Sequence, residues 1–256
     1  MTDKFCQKDC PYCAGNGYVG YDVPMTDYRY GKLYKCPLWC RQHWHNSLGI
    51  EEGEGATLDW SVFMPTKLMT VAVPVMKDLL NTGMGWLYIH GVPGVGKTHV
   101  IKASVLQAWY MYGHSARYTT EMSLINYFRT SFGGKLRKNE YDERMKEMVN
   151  LDFLAIDEIG RDRGTDFAIA AFSELLDKRY TRALGQRSMT VFGSNFAPEK
   201  VMDDYQVDRI RDGRFMVLEF AGPSVRPLMK RQPSKANPYW WYRALLPEKI
   251  NSARTD

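Results

Sequence analysis

At 256 residues and 45% hydrophobic content, the chain has room for one folded domain of about 200 residues plus a small appendage, which excludes bulk disorder. Its formal charge of +5 is mildly basic and by itself points only weakly to nucleic acid. No apolar run approaches the ~20 residues of a membrane span, and Met1-Thr2-Asp3-Lys4 lacks a charged-then-apolar leader pattern, so a cytoplasmic protein without membrane contact is expected.

All five cysteines, at 6, 10, 13, 36 and 40, lie near the start of the chain. An odd, clustered set in a cytoplasmic protein argues for metal rather than disulfides. Cys10-x2-Cys13 and Cys36-x3-Cys40, two close pairs separated by a 22-residue gap, have the spacing of a four-cysteine zinc ribbon. Each pair on a tight turn lets four thiolates converge on one Zn²⁺, and Gly15, Gly17 and Gly20 give the first pair permissive backbone. Cys10, Cys13, Cys36 and Cys40 are the predicted ligands; Cys6 is a substitute for Cys10 or a spare thiol, and His43 and His45 are further stand-ins. So small a segment has little core of its own and needs such a staple. Residues 1–47 are therefore expected to form a zinc-binding module that grips a partner or stiffens the fold.

Residues 48–60 turn to glycine and glutamate (Gly49, Glu51, Glu52, Gly53, Glu54, Gly55), the composition of a linker. The apolar stretch 62–80, broken by Pro65 and Pro74, suggests a lead-in helix ending near Gly83. A strand follows at Trp86–His90. It runs into Gly91-Val92-Pro93-Gly94-Val95-Gly96-Lys97-Thr98, which reads G-x-x-x-x-G-K-T, and then into a periodic segment through Ile101, Val105, Ala108 and Tyr112. Strand, glycine loop and helix form the context in which this motif cradles phosphate. Glycines let successive N–H groups turn toward one anion, and the helix start adds its positive end. Lys97 is expected to reach the β- and γ-phosphates of ATP, and Thr98 to offer its hydroxyl to Mg²⁺.

Ala116–Thr119 reads as a second strand, and Leu124, Ile125, Phe128 and Phe132 fall at helical spacing after it. Lys135, Arg137 and Lys138 follow, then a polar helix over 140–150. Phe153-Leu154-Ala155-Ile156-Asp157-Glu158 is a continuous apolar run closing on two acids, the pattern of a parallel strand covered on both faces. Ligands bind at the carboxyl ends of such strands. Asp157 is expected to hold Mg²⁺ opposite Thr98, and Glu158 to polarise the attacking water as general base. A helix over about 166–182 and a strand at Met189–Gly193 come next, with Ser194-Asn195 at the strand's end, where Asn195 can meet the γ-phosphate or the water. Asp208–Arg214 precedes a last strand, Phe215 to Phe220, and Arg226 lies just beyond.

Together these stretches resemble the DnaC/IstB family of AAA+ ATPases, the bacterial and phage replicative-helicase loaders. The resemblance rests on Gly91–Thr98, Tyr118–Phe132, Leu154–Gly160, Phe172–Tyr180, Ser194-Asn195 and Asp208–Gly213 through Arg226. It implies an α/β fold: an AAA+ phosphate-loop domain over 61–228, a five-stranded parallel sheet flanked by helices, preceded by the zinc-ribbon module. By the same resemblance Asn195 is the first sensor, Arg226 the second sensor in cis, and Arg209 the arginine finger reaching a neighbouring subunit's ATP. Arg211 and Arg214 are close rivals for that last role. The segment 121–139 corresponds to the helix that faces single-stranded DNA in this family. There Lys135, Arg137 and Lys138 would meet phosphates, and Phe132 would either stack on a base or pack in the core. The basic, aromatic tail 229–256, with Trp240 and Trp241, departs from the pattern. It suits nucleic acid, a partner groove, or folding back on the domain.

The expected protein is an ATP-hydrolysing loader that uses ATP, Mg²⁺ and Zn²⁺. Its expected partners are single-stranded DNA, a hexameric replicative helicase and other copies of itself, joined through the ATP site. The rivals are an IstB-type transposition helper acting on duplex DNA, a small-molecule kinase with the same loop, and a zinc-module protein whose nucleotide site is a structural switch.

Overall fold

The computed structural model describes residues 67–110, 112–129, 138–161 and 165–220, together with 14, 18–20, 22–27, 30–35, 48–50, 222 and 224. An antiparallel pair, β1 (Tyr18–Gly20) and β2 (Leu33–Lys35), precedes the main body and sets Tyr18 opposite Lys35. The main body follows as α1 (Lys67–Thr82), β3 (Met84–Gly91), α2 (Lys97–Tyr110), β4 (Ala116–Thr120), α3 (Glu121–Arg129), α4 (Lys138–Asn150), β5 (Phe153–Ile159), α5 (Asp166–Ala183), β6 (Ser188–Ser194), α6 (Asp204–Ile210) and β7 (Met216–Phe220).

The five later strands form one parallel sheet in the order β4-β5-β6-β3-β7. The three inner strands are the apolar runs of the sequence, because helices cover both of their faces. Alternate side chains divide between two cores. Leu87, Ile89, Ala155 and Val191 pack under α1 and α2 with Met76, Leu80, Ile101 and Val105. Trp86, Tyr88, Leu154, Ile156 and Phe192 pack under α3, α4 and α5 with Leu124, Phe128, Met148, Phe172 and Leu175.

Two expectations need correction. Leu48 and Ile50, read as the start of a linker, are each 1% exposed and belong to the first core, with Gly49 lying against the carbonyl of Tyr118. Their glycine- and glutamate-rich surroundings hid two apolar anchors. Pro74, read as a break, lies inside α1. It sits on the exposed side, while Ala72, Met76, Leu79 and Leu80 are buried, so core packing offsets the ~3 kcal/mol that an interior proline costs. The helix ends at Gly83 as expected, with φ 73° and its N–H donating to the Leu79 carbonyl at 2.9 Å.

Arg179 on α5 is fully buried, and among the described residues no carboxylate pairs with it. Its guanidinium donates to the carbonyls of Met148, Val149, Leu151 and Met189 and to the Thr190 hydroxyl, at 2.6–3.1 Å. It thereby satisfies the orphan carbonyls at the end of α4 and ties them to β6. Burial pulls its pKa down to about 9, so it remains charged at neutral pH.

Candidate nucleotide-hydrolysis site

The sheet order places the carboxyl ends of β5, β6 and β3 side by side, and Gly91–Thr98, Asp157, Glu158 and Asn195 lie at those ends. Gly91 closes β3 with φ 142°, and a Cβ on it would lie 2.0 Å from the Phe220 carbonyl oxygen of β7. Gly94 and Gly96 have φ 84° and 101°, the left-handed conformation that curls a loop into an anion cradle. The helix α2 opens at Lys97. That lysine is buried, and its Nζ donates to the carbonyls of Gly91 (2.7 Å) and Val92 (2.9 Å) and to Asn195 Oδ1 (2.9 Å). Thr98 is exposed on the first turn.

Asn195, 98 residues from Lys97, is brought to it by the β3–β6 pairing, which sets His90 opposite Ser194. The turn carrying Asn195 is held from both sides. Ser194 Oγ donates to the Ile159 carbonyl (2.8 Å), and Tyr88 donates its hydroxyl to the Phe196 carbonyl (3.0 Å). Burial pushes the Tyr88 phenol up to about 12, which keeps it a donor.

The two acids stand at an irregularity. Against β6, Ile156 pairs with Phe192 but Ile159 pairs with Ser194, so β5 carries one extra residue there. Glu158 takes φ 59°, rare for a non-glycine residue, and the bulge sends the two carboxylates to different environments. Asp157 is 2% exposed; its Oδ1 accepts the Glu158 N–H (2.8 Å) and its Oδ2 accepts the Tyr118 hydroxyl (3.3 Å). Among the described residues no cation pairs with it. Glu158 is exposed and paired with Arg161 at 2.5 Å.

Over residues 85–232, more than half of the chain, the sequence matches the family model described as IstB-like ATP binding protein. The chain belongs to the IstB-like ATP-binding family. This IstB-like protein is 26% identical over 163 residues to the replicative helicase loader DnaC of Buchnera aphidicola subsp. Baizongia pistaciae (strain Bp), covering 62% of this chain and 64% of that relative. It thus spans less than two thirds of that relative's length. Its fold is similar to the crystal structure of the DnaC helicase loader, with TM-score 0.55 at 16% identity over 66% of this chain and 99% of that one. It is also similar to AMPPCP-bound DnaA from Aquifex aeolicus, with TM-score 0.57 at 19% identity over 66% of this chain and 52% of that one. The AAA+-like architecture expected from the sequence, five parallel strands between helices, is the one observed.

Arg209, at the end of α6, is held within its own chain: its guanidinium pairs with Asp177, donates to the Tyr205 hydroxyl, and lies over the rings of Tyr205 (4.2 Å) and Tyr180 (4.9 Å). The rivals Arg211 and Arg214 pair with Glu199 and Asp212. Arg226, Phe132, Lys135, Arg137, all five cysteines and the tail lie outside the described residues, as does the side chain of Lys138. Among the described residues, no cluster of histidine, cysteine and acid side chains could hold a metal ion, and no helix is long and apolar enough to cross a membrane.

Sequence reasoning missed two contributors, Tyr118 and Gly193. A Cβ on Gly193 would stand 2.2 Å from Asp157 Oδ1 and 2.6 Å from Ile101 Cδ1, so the acid owes its position to a missing side chain on the next strand. A glycine inside an apolar strand was the available signal of close approach.

Proposed function

We propose that this IstB-like protein hydrolyses ATP at a site completed between subunits, and so couples nucleotide state to the loading of a hexameric replicative helicase on single-stranded DNA. The observation that carries the proposal is the convergence of Lys97, Asn195 and a buried Asp157, which no cation pairs among the described residues, beside a phosphate loop, in a chain similar to proteins named as helicase loaders.

These residues fit Mg²⁺–ATP. A buried carboxylate without a cation is costly, and a divalent ion offsets that cost. Gly91–Thr98 would hold the triphosphate through main-chain N–H groups, with Lys97 exchanging carbonyl acceptors for phosphate oxygens. Thr98 and Asp157 would hold Mg²⁺, which when bound neutralises charge on the phosphates. Glu158 would polarise water once released from Arg161, an exposed ion pair worth about 0–1 kcal/mol. Asn195 would move with Lys97 from the lysine's resting contact to the γ-phosphate. Arg209 would exchange Asp177 for a neighbour's phosphate, its planar fork suiting both acceptors, and Arg226 would act in cis. Phe132, Lys135, Arg137 and Lys138 would meet DNA. Zn²⁺ held by Cys10, Cys13, Cys36 and Cys40 would staple the first 47 residues. The Tyr18–Lys35 pairing supports this, because it draws together the chain just after one cysteine pair and just before the other.

The test is complementation between inactive variants. Lys97→Ala and Arg209→Ala chains, each inactive alone, regain ATPase activity when mixed if the site is shared. A mixture that stays inactive contradicts the shared site and favours a monomeric enzyme such as a kinase. Co-purification with a hexameric helicase and preference for single- over double-stranded DNA support loading; preference for duplex DNA without the helicase favours a transposition helper.

A further inference from the structure

Asp157 is held by more than its own strand. In the β4–β5 register Tyr118 stands opposite Ala155, two residues before Asp157, and Thr120 stands opposite Asp157. Residues two apart on a strand share a face, so Tyr118 projects from the face of the sheet that Asp157 uses, one diagonal step back. A tyrosine is long enough to span that diagonal, and its hydroxyl donates to Asp157 Oδ2 at 3.3 Å. Both residues are nearly closed to water, at 8% and 2% exposed. The ring is fixed from above by Lys102, whose Nζ lies 4.8 Å from its centroid. On the other side the Glu158 N–H takes Oδ1, and the bare Cα of Gly193 leaves that oxygen just enough room. The two carboxylate oxygens are therefore separately assigned, one to the chain's own bulge and one to the neighbouring strand.

We infer that Tyr118 is a positioning residue for magnesium: its hydroxyl fixes the rotation of the Asp157 carboxylate, and so the direction of the lone pairs left for the metal. The inference rests on the reading of Asp157 as a Mg²⁺ residue. Without the hydroxyl the carboxylate would turn about its last bond while the backbone and the phosphate loop stayed in place. Metal-dependent nucleotide binding would then weaken, and metal-free binding would not.

The experiment uses the full chain and a fluorescent ADP analogue, titrated with Mg²⁺ and, separately, in EDTA. Tyr118→Phe keeps the ring and removes only the hydroxyl. The half-saturating Mg²⁺ concentration is expected to rise about three- to ten-fold, the range for one ordinary net hydrogen bond, as suits a contact of 3.3 Å. Affinity in EDTA is expected to match the parent, and the melting temperature to fall by no more than the loss of one hydrogen bond produces. On an Asp157→Asn background the same substitution is expected to change nothing further, since its target is already gone. An unchanged Mg²⁺ titration for Tyr118→Phe overturns the inference. So does an equal loss of binding in both arms with a lower melting temperature, which makes Tyr118 only a core residue. If the parent protein itself binds the analogue equally with Mg²⁺ and EDTA, the magnesium reading of Asp157 fails as well, and that outcome is visible before any variant is compared.

Discussion

Gly193→Ala adds one methyl group at a place where the structure has no room for it. The new Cβ would lie 2.2 Å from Asp157 Oδ1, 2.9 Å from Asp157 Cγ and 2.6 Å from Ile101 Cδ1. Ordinary contact begins near 3.4 Å, so the acid oxygen must retreat by about 1.2 Å and the isoleucine methyl by about 0.8 Å. Ile101 is fully buried between α2 and the sheet, and Asp157 is fixed at both oxygens, so neither retreats freely. Overpacking of this kind costs about 1–3 kcal/mol. At roughly 2–4 °C per kcal/mol for a chain of this size, a midpoint cost of about 2 kcal/mol lowers the melting temperature by roughly 4–8 °C. The displaced carboxylate should also raise the Mg²⁺ needed for nucleotide binding. Thermal unfolding followed by circular dichroism, paired with a Mg²⁺ titration of fluorescent ADP binding, reads both effects. A variant that melts within about 1 °C of the parent and needs the same Mg²⁺ would refute the packing argument and the placement of Asp157 with it.

Glu158→Gln should retain ATP while slowing hydrolysis by about 10²–10⁴-fold, since it removes the base and leaves the phosphate cradle intact; radiolabelled ATP retention against phosphate release measures the split. Arg179→Met removes the donor to four carbonyls and the Thr190 hydroxyl, and should cost about 3–5 kcal/mol, visible as a lower denaturant midpoint at unchanged slope. Burial lowers the His114 pKa below 6.5, so the unfolded chain takes up that proton more readily. Stability should therefore fall as the pH drops below about 6.5, and His114→Phe should flatten part of that slope in melting curves from pH 5 to 8.

Local chemistry made much of the site legible. A phosphate loop is written in consecutive residues, because its glycines and lysine act on one anion within a single turn. The acids announced themselves by ending an apolar run, and α5 by its apolar spacing. Residues that act across strands were not legible. Tyr118 and Gly193 matter only once the β4–β5–β6 register is known, and Arg179 only once α4 and β6 are seen to end near one another. Leu48 and Ile50 were masked by their composition, and a chain-local reading of Pro74 ignored the packing that carries α1 through it. The short helix α6 was missed, although Asp203 is a conventional N-cap that accepts the Gln206 N–H at 2.8 Å. The partner of Arg209 was not legible either, because Asp177 lies 32 residues away on α5.

In the proposed function Gly91–Thr98 grips a nucleoside triphosphate through main-chain amides and Lys97. Isothermal calorimetry of the full chain with ATP or ADP in Mg²⁺ tests it most directly. Saturable binding of one nucleotide per chain, lost in Lys97→Ala protein that still unfolds cooperatively, is the predicted result. Absence of binding by the parent protein, or binding of equal strength by the Lys97→Ala variant, would contradict it.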